Sequence, residues 1–136
     1  TPPTQYPTLP PTNAPVQLCV AGDVCANFEQ STFGKQIDES VVIGGPLEYA
    51  ATDLCEDVNG DYTGKIVVVA RGNCLFYTKI KRAQEMGAIA VAIHMITYEA
   101  IFPPAYYDGN GNDILIPSMM ISFDDGLKFK DFAGEL

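Results

Sequence analysis

Gly64-Lys65-Ile66-Val67-Val68-Val69-Ala70-Arg71-Gly72-Asn73-Cys74-Leu75-Phe76 is the stretch on which the fold turns. Ile66 to Val69 is an unbroken β-branched run. It is too short for a buried helix and has the composition of an interior strand. Phe76, Ile80, Ala83 and Gly87 then recur at helical spacing. Lys79, Lys81, Arg82 and Glu85 fall largely on the other faces, so the lysines read as a solvated surface. Gly87 suits the helix C-terminus because it accepts left-handed backbone angles. Ile89 to Ile93 resumes as a strand. The pattern predicts a strand–helix–strand unit with parallel strands and a right-handed crossover.

C-terminal to this unit lies a long irregular stretch, Thr97 to Asp113. It carries Tyr98, Phe102, Tyr106 and Tyr107, the Pro103-Pro104 pair and a Gly/Asn/Asp cluster. Loops of this length in a compact domain are usually functional or disordered, and four aromatics argue against disorder. Ile116 to Ile121 reads as a further strand with Pro117 near its start. Ser122-Phe123-Asp124-Asp125 has the form of a capping box opening a last helix through Phe132. N-terminal to the unit the signals are scattered. Val41-Val42-Ile43 is a short β-branched run closed by Gly44-Gly45-Pro46, and Asn59-Gly60-Asp61 is turn chemistry.

Residues 1–15 differ from the rest. They hold six of the ten prolines and no charge, and Pro-Thr recurs at Pro3, Pro7 and Pro11. Such a tract cannot build a core. It is expected to be an extended stalk or linker, O-glycosylated if the chain is secreted, ahead of one folded domain over 16–136. No N-x-S/T site occurs, so N-glycosylation is not expected. No charged-then-apolar leader opens the sequence, and the chain reads as a mature or excised piece.

The 136 residues suffice for one hydrophobic core, and an apolar fraction of 47% is that of a globular protein. The longest aliphatic run, Ala88 to Ile93, is far short of a membrane span. A net charge of -9 disfavours nucleic acid and anionic membrane surfaces, both of which call for clustered Lys and Arg. It fits a solvated acidic surface outside the cell, or a basic partner.

The four cysteines, Cys19, Cys25, Cys55 and Cys74, lack the spacing of a zinc site, and His94 is the only histidine. An even count of this kind points to two disulfides and an oxidising compartment, with three pairings open. Asp57 to Asp61 and Asp108 to Asp113 carry oxygen ligands but do not continue as calcium loops. Tyr62 and Asp113 stand where the glycine is needed, and Val68 and Met119 where the glutamate is needed. No nucleophile-elbow, zinc-peptidase or phosphate-loop pattern is present, and His94 has no evident catalytic partner. No catalytic residue, metal or cofactor is expected.

Two candidate sites remain. Arg71 follows a buried strand, at the end of the sheet where ligands collect in α/β folds. Its planar fork suits a carboxylate or peptide carbonyl, and a salt bridge holding the turn is the competing role. The aromatics Tyr98, Phe102, Tyr106 and Tyr107 offer rigid contact area for recognition, against the alternative that they pack back on the domain.

Three stretches together resemble the protease-associated (PA) domain family. They are the strand with its Arg71-Gly72-Asn73-Cys74-Leu75-Phe76 turn, the helix end Ala83-Gln84-Glu85-Met86-Gly87-Ala88, and the close Ile116-Pro117-Ser118-Met119-Met120-Ile121-Ser122 with Asp125-Gly126. The resemblance implies an α/β (α+β) fold: a β-sandwich or partly open barrel with short flanking helices. It also implies a secreted or lumenal accessory domain that recognises protein ligands and cleaves nothing. In some members the turn cysteine is bridged to one before the strand. Carried over, this pairs Cys55 with Cys74 and leaves Cys19 with Cys25. The expected function is a protein–protein interaction module, with Arg71, Asn73 and the loop aromatics lining a groove for peptide. The alternatives are a substrate-filtering insert of a secreted peptidase and a structural matrix spacer.

Overall fold

The computed structural model describes residues 17–20, 24–37, 45–56 and 60–134. The Pro/Thr tract, the Val41–Ile43 run and Asn59 of the expected turn lie outside the described residues. A small sheet pairs β1 (Gln17–Val20) antiparallel with β2 (Val24–Asn27). The main sheet contains β3 (Glu29–Gln30), β4 (Leu47–Tyr49), β5 (Ile66–Ala70), β6 (Ala90–His94) and β7 (Ser118–Ile121). Its order is β3-β7-β6-β5-β4, parallel throughout except for β3. The fold is thus mixed α/β with two sheets and two helices, α1 (Phe76–Glu85) and α2 (Phe123–Gly134), and among the described residues no barrel closes.

The continuous apolar runs have a simple cause: both faces of the main sheet are covered. Val67, Val69, Val91 and Ile93 point to one face, where Ile80 and Ala83 of α1 meet them. Ile66, Val68, Ala90, Ala92, Met119 and Ile121 point to the other, against Phe129 of α2 and Leu18 and Ala26 of the hairpin. Ile66 to Val69 are all fully buried. Burying each such side chain contributes about 1.5–3 kcal/mol relative to exposure. A charged substitution at any of them faces a packed apolar layer whichever way it points.

α1 ends as the sequence requires. Gly87 has φ +99°, its N–H donates to the Gln84 carbonyl and the Ala88 N–H to the Ala83 carbonyl. This double closure is the Schellman arrangement, which satisfies carbonyls the helix would otherwise leave open. A Cβ at Gly87 would also come within 2.8 Å of the Thr63 Cα, so no side chain fits there. α2 opens with half of the expected capping box, since the Asp125 N–H donates to Ser122 Oγ at 3.1 Å. β7 starts at Ser118, two residues later than expected, because Pro117 has no N–H to give the ladder. Asp61 organises its turn by accepting the Thr63 N–H at 2.9 Å.

One expectation is overturned. Lys79 is not on a solvated face. It is fully buried, and its Nζ donates to the Asp53 carbonyl at 2.7 Å. The segment before Cys55 folds over this side of α1, and helical spacing alone cannot reveal such a cover.

Candidate functional site

The parallel strands β5, β6 and β7 stop at one level, with Ala70 opposite His94 and His94 opposite Ile121. The chain continues the ladder one step further: Arg71 N–H donates to the His94 carbonyl and Met95 N–H to the Ile121 carbonyl, both at 3.0 Å. The residues just beyond form a rim at the carboxyl ends of the strands. In open α/β sheets this is where ligands bind.

Arg71 is the centre of the rim. Its guanidinium carbon lies 5.0 Å from the centroid of Phe102. Nη1 approaches Met95 Sδ at 3.6 Å and the Glu99 carboxylate at 3.9 Å. Thioether sulfur is a weak acceptor, and Glu99 is 71% exposed, so neither saturates the five donors of the fork. Phe102 is itself buttressed edge-on by Phe76 at 5.9 Å, the first residue of α1. The ring and the sulfur fix the guanidinium in place while leaving the side chain about a third exposed. Beside Glu99, Tyr98 stands edge-on to Phe123 at 4.9 Å and is otherwise exposed. Leu75 and Ile96 are further exposed apolar side chains of these strand-end segments.

The other expected site residues go elsewhere. Asn73 adopts φ +72° and its Nδ2 donates to Asp53 Oδ2 at 3.2 Å. It fastens the turn instead of pointing at the rim. Tyr106 packs back on the domain, stacked on Tyr77 with centroids 4.2 Å apart and tilted against Phe33 at 6.0 Å. Tyr107 is almost entirely exposed. The long loop is therefore held down by a cluster distinct from the rim. Asp113 completes that anchor by accepting from Tyr77 and, at 3.0 Å, from Lys81. The hydrogen bond to Asp113 pushes the Tyr77 phenol up to about 12. Met95, Glu99, Phe76 and Phe123 belong to the rim but are not among the candidate site residues that the sequence offers. Their role depends on strand ends that come together only in the fold.

Both cysteine pairs are bonded, Cys55 to Cys74 and Cys19 to Cys25, as the resemblance implied. No free thiol remains. His94 is buried and fully engaged: Nδ1 donates to the Met95 carbonyl at 2.8 Å, so Nε2 accepts the Tyr49 hydroxyl at 2.7 Å. Burial holds its pKa below the ordinary histidine value. Among the described residues no cluster of His, Cys, Asp or Glu could hold a metal ion. An open groove of about 520 Å³ borders the edge strand β4, lined by Leu47, Glu48, Tyr49, Lys65 and Lys130 among others. Its Lys65 and Glu48 are already paired with each other, and its lining includes neither Arg71 nor Phe102. The rim can donate hydrogen bonds and present apolar area.

A mostly parallel core sheet with a helix on each face, a small hairpin sheet and a disulfide-fastened strand–helix turn is the architecture of a protease-associated accessory domain. The chain belongs to the PA domain family, which matches residues 42–129. It is 35% identical over 81 residues to "Signal peptide peptidase-like 2B" of Rattus norvegicus, covering 57% of this chain and 14% of that protein. It is 31% identical over 97 residues to "Aminopeptidase YwaD" of Bacillus subtilis (strain 168), covering 71% of this chain and 21% of that protein. Among solved structures it resembles BSAP, a zinc aminopeptidase from Bacillus subtilis, with a TM-score of 0.67 and 27% identity over 82% of this chain and 26% of that one. The chain thus spans only a minor part of each of these relatives. Among the described residues no helix is long and apolar enough to cross a membrane.

Proposed function

We propose that this PA domain is a non-catalytic recognition module that binds extended polypeptide segments at the strand-end rim. The observation that carries the reading is Arg71: a guanidinium fixed by Phe102 and Met95, with only an exposed carboxylate at 3.9 Å to compete for it. Such a group is preorganised to take a peptide carbonyl or carboxylate, and preorganisation reduces the entropy lost on binding. Phe102 adds apolar area beside it, and Tyr98 and Leu75 are exposed on the neighbouring strand-end segments. The four cysteines are bridged and both ring nitrogens of His94 are engaged within the domain. The two disulfides and the likeness to signal peptide peptidase-like proteins support a lumenal or extracellular setting.

A second reading rests on the relatives. Their names are those of peptidases, and this chain covers a small fraction of each. In that reading the rim screens substrates for a catalytic unit in the same protein. Selection of random peptides on the oxidised chain separates the two. Enrichment of a sequence motif supports an autonomous receptor. No enrichment on a folded chain removes that reading and leaves the peptidase-bound role.

A further inference from the structure

Lys79 raises a question that peptide recognition does not answer. It is fully buried, and among the described residues no carboxylate lies within ion-pair distance of it. Its two contacts are the Asp53 carbonyl at 2.7 Å and, at 3.5 Å, the Sγ of Cys55 in the Cys55–Cys74 bridge. A buried ammonium with no carboxylate in direct contact is costly, and burial drives this amine below its ordinary pKa, with the more distant Asp53 carboxylate opposing that shift. A counter-charge in direct contact becomes available if the neighbouring sulfur, 3.5 Å away, is a thiolate.

We propose that Cys55–Cys74 is a redox-active bridge, reduced by a dithiol, whose reduced state is held by a Cys55 thiolate paired with Lys79. The reductant's thiolate attacks Cys74, which lies half-buried in a surface turn between exposed Asn73 and Leu75. The S–S bond breaks and Cys55 leaves with the electron pair beside Lys79. The reductant's second thiol then displaces Cys74 from the mixed disulfide. The reductant ends as a disulfide, having given two electrons and two protons. One proton goes to Cys74. The other goes to Lys79 if the amine was neutral, or to water if it was already charged.

Opposing groups face the same sulfur. The Gly72 carbonyl lies at 3.4 Å and the Asp53 carbonyl at 3.8 Å, and both favour a protonated thiol. The Asp53 carboxylate also lies near, bound to the Cys55 and Asn73 nitrogens. Those nitrogens and solvent screen it, whereas the amine is enclosed. A nearby lysine lowers a thiol pKa and so stabilises the reduced form of its disulfide. Both bridged segments also carry left-handed residues beside their cysteines, Leu54 at φ +62° and Asn73 at φ +72°. Opening the bridge would free a turn that the fold constrains from two sides, and that turn begins at Arg71.

The test equilibrates the chain with graded ratios of reduced to oxidised dithiothreitol, quenches in acid, alkylates and counts modified cysteines by mass spectrometry. Lys79→Met is expected to shift the Cys55–Cys74 equilibrium at least tenfold toward the disulfide, about 30 mV for this two-electron couple. An unchanged equilibrium in a folded variant overturns the proposal. The second measurement needs no variant: the rate at which Cys55 of the reduced wild-type chain is alkylated, as a function of pH. A midpoint more than one pH unit below the ordinary thiol value of about 8.5 is expected. A midpoint at or above that value overturns the proposal even if the variant does not fold.

Discussion

The guanidinium of Arg71 lies 5.0 Å from the ring centroid of Phe102, and so joins the end of β5 to the long loop after β6. The arginine does not close a strong salt bridge within the domain, because Glu99 stays at 3.9 Å and largely in solvent. The contact holds the charge in position without consuming it. That distinction separates a binding arginine from a structural one, and it makes the two roles experimentally separable.

Arg71→Ala is expected to cost little stability. Exposed cation–π contacts contribute about 0.5–1 kcal/mol, and the side chain is a third exposed. Urea unfolding should therefore place the variant within roughly 1 kcal/mol of wild type. Phe102→Ala should cost somewhat more because the Phe76 edge contact goes with it. A loss of several kcal/mol in Arg71→Ala would assign the residue to the fold.

Gly126→Ala should be far more damaging than its position in an exposed-sided helix suggests. A Cβ there would sit 2.4 Å from Cβ and Cγ of His94. Neither atom can retreat, because the imidazole is held by Met95 and Tyr49 and packed under α2. Overpacking of this kind costs about 1–3 kcal/mol, and the variant should unfold at correspondingly lower urea. A neutral result would mean that α2 can shift away from the sheet. The Asp-Gly after the last strand is thus explained by close approach of helix and imidazole.

His94 should make the domain sensitive to mild acid. Its folded pKa is lowered, chiefly by burial, with the charges of Lys130 and Lys79 acting the same way and the Met95 carbonyl opposing them. The unfolded chain therefore binds the proton more readily. The stability held by the neutral imidazole is complete above the ordinary value of 6.5 and is lost as pH falls from there toward the folded value. It is the only histidine, so few other groups titrate in this window. Asp53, Asp61 and Asp113 have lowered values and lose their contribution only in stronger acid. Urea unfolding at pH 7.5, 6.5 and 5.5 should show a decline that is absent in His94→Asn. An equal decline in both would place the acid sensitivity elsewhere.

Much of the fold was legible in the sequence because its central unit is governed by local rules. Ile66 to Val69 and Ile89 to Ile93 read as strands from composition and length, and Gly87 marks the helix end because glycine accepts left-handed angles. The disulfide partners came from family resemblance, since four cysteines alone leave three pairings. The two-residue β3 and three-residue β4 carried no legible signal, because strands this short exist only through their neighbours. The candidate site was legible only as a set of residues, and the fold decides which of them come together. Arg71 and Phe102 meet as a rim, while Asn73 turned to Asp53 and Tyr106 to Tyr77. Aromatic content marks a loop as ordered but does not say which rings anchor it and which face outward. The burial of Lys79 was illegible for the same reason: its cover arrives from the segment around Asp53, distant along the chain.

The measurement that bears most directly on the central claim is amide chemical-shift mapping of the oxidised chain with a peptide selected on it. The largest changes are expected at Arg71, Met95, Ile96, Tyr98 and Phe102, with no saturable shifts in Arg71→Ala. Changes centred instead on Leu47, Glu48, Tyr49 and Lys130 would place recognition in the groove along β4 and contradict the strand-end rim as the binding site.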